Sequence, residues 1–136
     1  MKNIYLLTIV ASLLASCEDK HLDVKTFSSR DIKVNWYNIS RITTVHDYID
    51  IERWGHEKNV MEANTGGIYD ILIKGDTIII QTTRDLIVYD LSIKTLGCNI
   101  KQDSSITTYQ YLKKYMPASA EAFKNQTVPD TSQNKR

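Results

Sequence analysis

The chain has 136 residues, with 17 Lys and Arg against 16 Asp and Glu, a formal net charge of +1. That length carries one domain with a modest core. The even charge balance excludes the basic excess that nucleic-acid binders use against phosphates, and supplies no polybasic patch for a lipid surface.

The first seventeen residues set where the rest of the chain resides. Lys2 gives a positive start, Ile4 to Ala15 is an apolar run interrupted by Thr8 and Ser12, and small residues lead into Cys17. The run is shorter than the roughly 20 apolar residues a membrane-spanning helix needs, and its layout is that of a cleaved secretory signal. Leu14-Ala15-Ser16-Cys17 resembles the lipobox of bacterial lipoproteins at all four positions. The resemblance implies cleavage after residue 16, lipidation of Cys17 and attachment to the cell envelope, and the acidic pair Glu18-Asp19 that follows looks like the sorting signals that steer some lipoproteins to the outer membrane, on its periplasmic or surface face. Two or three acyl chains hold a protein far more firmly than one, since each buried methylene contributes about 0.8 kcal/mol. Removing sixteen residues, with Lys2 their only charge, leaves 120 residues carrying 16 basic and 16 acidic groups. A lipidated Cys17 leaves Cys98 without a disulfide partner, so the domain has to fold unstapled.

Residues 17–29 read as a lipidated N-terminus and flexible tether, because Leu22, Val24 and Phe27 are too scattered to bury much surface. A single β-rich domain over 30–124 follows. Ile32, Val34 and Trp36 alternate with Lys33, Asn35 and Tyr37, the pattern of a half-buried strand. Asn38-Ile39-Ser40 reads as a turn. From Ile42 to Arg53 the chain is again β, with Val45, Ile49 and Ile51 on one face and His46, Tyr48, Asp50 and Glu52 on the other. His46, Asp50, Glu52 and His56, with Glu57, are the candidate metal ligands, of the imidazole and carboxylate type. Their spacing argues against one shared ion, because strand neighbours two apart stand about 6 to 7 Å from each other.

Lys58 to Ala63 is a weaker strand, and Asn64-Thr65-Gly66-Gly67 a turn with no phosphate-loop context. Ile68 to Ile73 and Thr77 to Thr82, joined by Lys74-Gly75-Asp76, form the strongest hairpin. Both strands are apolar on both faces, which predicts a sheet covered on both sides or a closed barrel. Turns at Thr83-Arg84-Asp85 and at 92–95 flank a strand from Leu86 to Leu91, and a last strand spans Leu96 to Lys101 with Cys98 buried as a small hydrophobe. One four-stranded propeller blade fits this stretch, but no second copy exists. Ile106, Tyr109, Leu112 and Met116 predict a helix capped within Asp103-Ser104-Ser105 and ended by Pro117, then a short helical piece from Ala118 to Lys124. Residues 125–136 are polar, aperiodic and expected to be disordered.

The expected fold is therefore mainly β, an antiparallel meander forming a small barrel or sandwich with a C-terminal helix. Catalytic motifs are absent: no Gly-x-Ser-x-Gly elbow, no His-Glu-x-x-His. Asp70 and Asp90 are of interest only if they face each other, and Lys113-Lys114 reads as the solvated side of the helix. The sequence favours a lipid-anchored, non-catalytic module that binds a protein partner in the envelope, such as an accessory subunit or an immunity-type inhibitor. The alternatives are a metal-binding or hydrolytic enzyme using the His46 to Glu57 face, and a structural envelope lipoprotein. No cofactor is expected.

Overall fold

The computed structural model describes residues 19–127; the expected signal segment and lipidation at Cys17, and residues 128–136, lie outside them. Among the described residues there are nine strands and two helices: β1 (Lys20–Ser29), β2 (Ile32–Ser40), β3 (Val45–Arg53), β4 (His56–Asn64), β5 (Ile68–Lys74), β6 (Thr77–Thr83), β7 (Val88–Leu91), β8 (Lys94–Thr95), β9 (Cys98–Ile106), α1 (Thr108–Tyr115) and α2 (Pro117–Thr127). Two sheets form, one in the order β1-β2-β3-β4-β7 and one in the order β5-β6-β9-β8. They are not closed into a barrel, and the arrangement is that of a sandwich with a C-terminal helix pair.

The alternation in β2 and β3 sends Ile32, Val34, Trp36, Ile49 and Ile51 inward, where they join Val60 and Met61 of β4 and Ile68, Ile71, Ile78 and Ile80 of the second sheet. This core is dominated by β-branched side chains, which suit a pleated surface. The tight connections follow local chemistry. Trp54-Gly55 and Leu96-Gly97 both carry positive φ at two successive positions, as a two-residue hairpin of matching twist requires. At Gly97 a Cβ would also stand 3.2 Å from the Arg53 guanidinium and the Trp54 ring.

Several expectations are corrected, the first being the turn at Asn38-Ile39-Ser40, which is the paired end of β2. Residues 20–29 are no tether: they form a ten-residue edge strand antiparallel to β2, with a register shift between Asp23 and Lys25. Pairing with β2 orders a segment whose own side chains bury little. The meander holds for β1 to β4 only, since β7 crosses to pair with β4 and the chain returns to lay β9 parallel to β6. The double-faced apolarity of β5 and β6 does not mark a sheet covered on both sides, because β5 is an edge strand and its outward Leu72 is 37% exposed. Finally, β9 runs on to Ile106, and Thr107 rather than residues 103–105 caps α1. The Thr107 hydroxyl accepts from the Gln110 N–H at 3.2 Å, and Gln110 Oε1 accepts from the Thr107 N–H at 2.8 Å, a reciprocal capping box. Pro117 ends α1 by opening α2 at its first position, where its missing N–H costs nothing. The second helix runs to Thr127, three residues into the stretch expected to be disordered.

Candidate functional site

The outward face of the five-stranded sheet carries an unbroken line of rings. The first is His21 of β1, whose centroid lies 4.3 Å from that of Tyr37 of β2; Tyr37 stacks on Tyr48 of β3 at 5.5 Å. Tyr48 lies 6.4 Å from His46 on the same strand, and His46 stacks on Tyr89 of β7 at 4.8 Å. Beneath them Glu62 of β4 accepts from the Tyr48 hydroxyl at 2.9 Å and meets His46 Nδ1 at 2.8 Å. Those two partners hold the Glu62 carboxyl below its ordinary value, against the pull of burial. Burial and then the Asp50 carboxylate raise the Tyr37 phenol.

Register explains the line. Tyr37 opposes Tyr48, Tyr48 opposes Glu62 and Glu62 opposes Asp90, so these side chains share one face. Beside the rings a groove of about 350 Å³ runs between His21, Asp23, Tyr37, Asp50 and Glu57. Asp23, Asp50, Glu52, Glu57, Glu62 and Asp90 make the face rich in carboxylates, of which Glu52 pairs with Lys33 at 3.1 Å, Asp23 with His21 at 3.2 Å and Glu62 with His46 at 2.8 Å.

The candidate metal ligands are not brought together. His46 is occupied with Glu62, Asp50 accepts from Asn59 at 2.8 Å, and Glu52 pairs with Lys33. His56 opposes Arg53, so it has the opposite parity to Glu52, near the far end of β3 from His46. Four residues of strand between His46 and Asp50 amount to about 13 Å. Among the described residues no group of three or more His, Cys, Asp or Glu side chains is arranged to hold a metal ion.

Asp70 and Asp90 lie in different sheets and do not meet. Asp70 instead receives Lys114 of α1 at 3.1 Å and Lys25 of β1 at 3.4 Å. Burial raises its carboxyl, but Lys114, the Ile71 N–H and Lys25 together bring it below the ordinary value. Lys113 and Lys114 are exposed, as expected of the solvated side of the helix, but Lys114 is engaged with Asp70. Lys114 also donates to the Tyr69 carbonyl at 2.9 Å, as does the Tyr115 hydroxyl at 2.6 Å, and the two fasten α1 to β5.

The opposite end of the sandwich is fastened by Arg53, whose side chain is nearly buried. Nε donates to Asp31 at 2.7 Å in the β1–β2 turn, Nη2 to Asp76 at 2.8 Å in the β5–β6 turn, and Nη1 to the Leu96 carbonyl at 3.3 Å in the β8–β9 turn. Its guanidinium lies 4.3 Å from the Trp54 ring centroid. Cys98 is fully buried, as expected. Arg53 Nη1 stands 3.6 Å from its Sγ, a cation that sequence spacing did not reveal, yet burial outweighs it and pushes the thiol up.

One residue escaped the sequence reading altogether. Asp47 is 1% exposed, on the inward face of β3 between Val45 and Ile49. Its Oδ1 accepts from Trp36 Nε1 at 3.0 Å and from Asn38 Nδ2. Burial pushes the carboxyl above its ordinary value, against Trp36, the Gly66 N–H, Asn38 and Thr65, which favour its charge. The signal was available, since strict alternation from Ile49 places position 47 inside.

No family model, curated protein or solved structure matches the chain. Its class is defined by architecture alone: a two-sheet β protein with a C-terminal helix pair. No helix among the described residues is long and apolar enough to cross a membrane.

Proposed function

We propose that this chain is a lipid-anchored protein of the bacterial cell envelope, attached through Cys17 at the outer membrane, and that it acts as a non-catalytic module binding another protein. The contact surface is the outward face of the five-stranded sheet. The observation that carries this reading is the line of five rings from His21 to Tyr89, which runs from one edge strand to the other. Aromatic side chains bring large contact area at low entropy cost and dominate protein interfaces.

Size and charge support the same conclusion. Four strands about 30 Å long and the shorter β7, about 13 Å, spaced about 4.8 Å apart, present roughly 640 Å², the scale of one side of a standard interface. The carboxylates around the rings favour a partner with a basic patch, which raises the association rate and rejects acidic competitors.

The test is affinity capture of the full-length protein, tagged after Arg136, from detergent-solubilised membranes, with Cys17→Ala as control. A protein recovered in near-equal amount with the wild type, and lost or reduced with the control, is the expected result. Recovery of no stoichiometric protein with either form overturns the reading.

A further inference from the structure

At the end of the sandwich spanned by α1, a cavity of about 180 Å³ opens between Val24, Trp36, Asp47, Gly66, Tyr111 and Tyr115. Asp47 is the only charged group in that wall. Its Oδ1 is satisfied by Trp36 and Asn38, whereas Oδ2 is buried and completes no hydrogen bond of ordinary geometry, with the Gly66 N–H and Thr65 supporting the carboxylate only from a distance. A buried carboxylate oxygen without a donor is costly, and an inward strand position would ordinarily hold an apolar side chain. The basic side chains at this end are already engaged: Lys25 and Lys114 both bind Asp70. Three rings, those of Trp36, Tyr111 and Tyr115, share the lining with Val24, Asn38, Thr65 and Gly66, and ring faces attract cations. Val24 and Tyr115, both substantially exposed, stand at the rim and leave the cavity open to solvent.

We propose that this cavity binds a small organic ammonium ion, its N–H donating to Asp47 Oδ2 and its apolar part lying among Trp36, Tyr111 and Tyr115. The charge of the ligand offsets that of the carboxylate, and its N–H supplies the missing donor. A neutral molecule of the same shape would leave the negative charge uncompensated. An anion would be repelled. This site lies on the inward side of the sheet whose outward face carries the protein contact, and the two proposals stand independently.

The probe is benzylamine, titrated into the full-length protein in a non-ionic detergent at pH 7. The readout is the indole N–H resonance of Trp36, assigned by its persistence in Trp54→Phe. A saturable shift is expected, with benzyl alcohol at least about tenfold weaker, since a hydrogen bond to a charged group is worth about 1.5 kcal/mol or more. Asp47→Asn, which keeps an oxygen for the Trp36 N–H, should weaken benzylamine by a similar factor. Val24→Phe at the exposed rim should block entry while leaving the buried polar groups untouched. The proposal is overturned by the absence of a saturable shift, by equal binding of amine and alcohol, or by unchanged amine binding in Val24→Phe. Should the amide in Asp47→Asn rotate so that Trp36 loses its acceptor, the alcohol comparison and Val24→Phe decide the matter.

Discussion

At the scale of single residues, burial raises both Asp47 and Asp70, but only at Asp70 do neighbouring cations and the Ile71 N–H outweigh it. The Asp47 carboxyl is held above its unfolded value, so the native state binds its proton more tightly and stability falls as pH rises from the ordinary carboxylate value through the raised one. Asp47→Asn should therefore raise the urea midpoint at pH 7 and have little effect at pH 3; equal effects at both pH values would contradict this. Asp70 is held below its unfolded value, so its contribution is complete above the ordinary carboxylate value and is lost as pH falls through the lowered one. Asp70→Asn should cost stability at pH 7 and leave it nearly unchanged below pH 3, measured by the same titration. Cys98 supplies a third case. Fully buried, with its thiol raised, it should resist alkylation in the native Cys17→Ala protein and react at once in concentrated urea. Rapid native alkylation would show that Arg53, and not burial, governs the sulfur.

At the scale of elements, α1 buries no residue fully and depends on its cap and on Lys114 and Tyr115. Thr107→Ala should cost about 1 kcal/mol of local helix stability, seen as faster amide exchange in the first turn of α1 with the sheets unaffected. The sequence disclosed some elements well and others poorly, for physical reasons. In β2 and β3 the strict alternation of apolar and polar residues reports a sheet with one face buried, and the faces of Trp36, Tyr37, His46 and Ile49 follow directly. In β1 that signal is missing, because the strand lies at an edge and nearly all its side chains are exposed. Its order comes from backbone pairing with β2, which leaves little trace in side-chain pattern. His21 was lost from the candidate site for that reason. Leu96 was read into a strand because a leucine at positive φ breaks the usual propensity, and only the following Gly97 marks the turn.

At the scale of the molecule, the mainly β class, the core of β-branched residues and the C-terminal helix were legible, whereas the partition into two sheets was not. Neighbours in sequence usually pair, and nothing in residues 86–91 announces that β7 leaves β6 for β4. Nor does the pattern of β9 reveal that it lies parallel to β6. Both choices depend on long-range contacts. The core that results spans both sheets, so Ile80→Ala should cost about 2 to 5 kcal/mol in a single cooperative urea transition. Two separated transitions would mean that the sheets unfold independently.

The central claim, that the ring-bearing face of the five-stranded sheet is where a partner docks, is tested most directly by site-specific photocrosslinking in intact cells. One form carries Tyr89→p-benzoylphenylalanine, on that face; the other carries the same replacement at Lys101, exposed on β9 of the second sheet. The account predicts a discrete protein adduct from position 89 and none from position 101. An adduct from 101 without one from 89, or identical adducts from both, would contradict it.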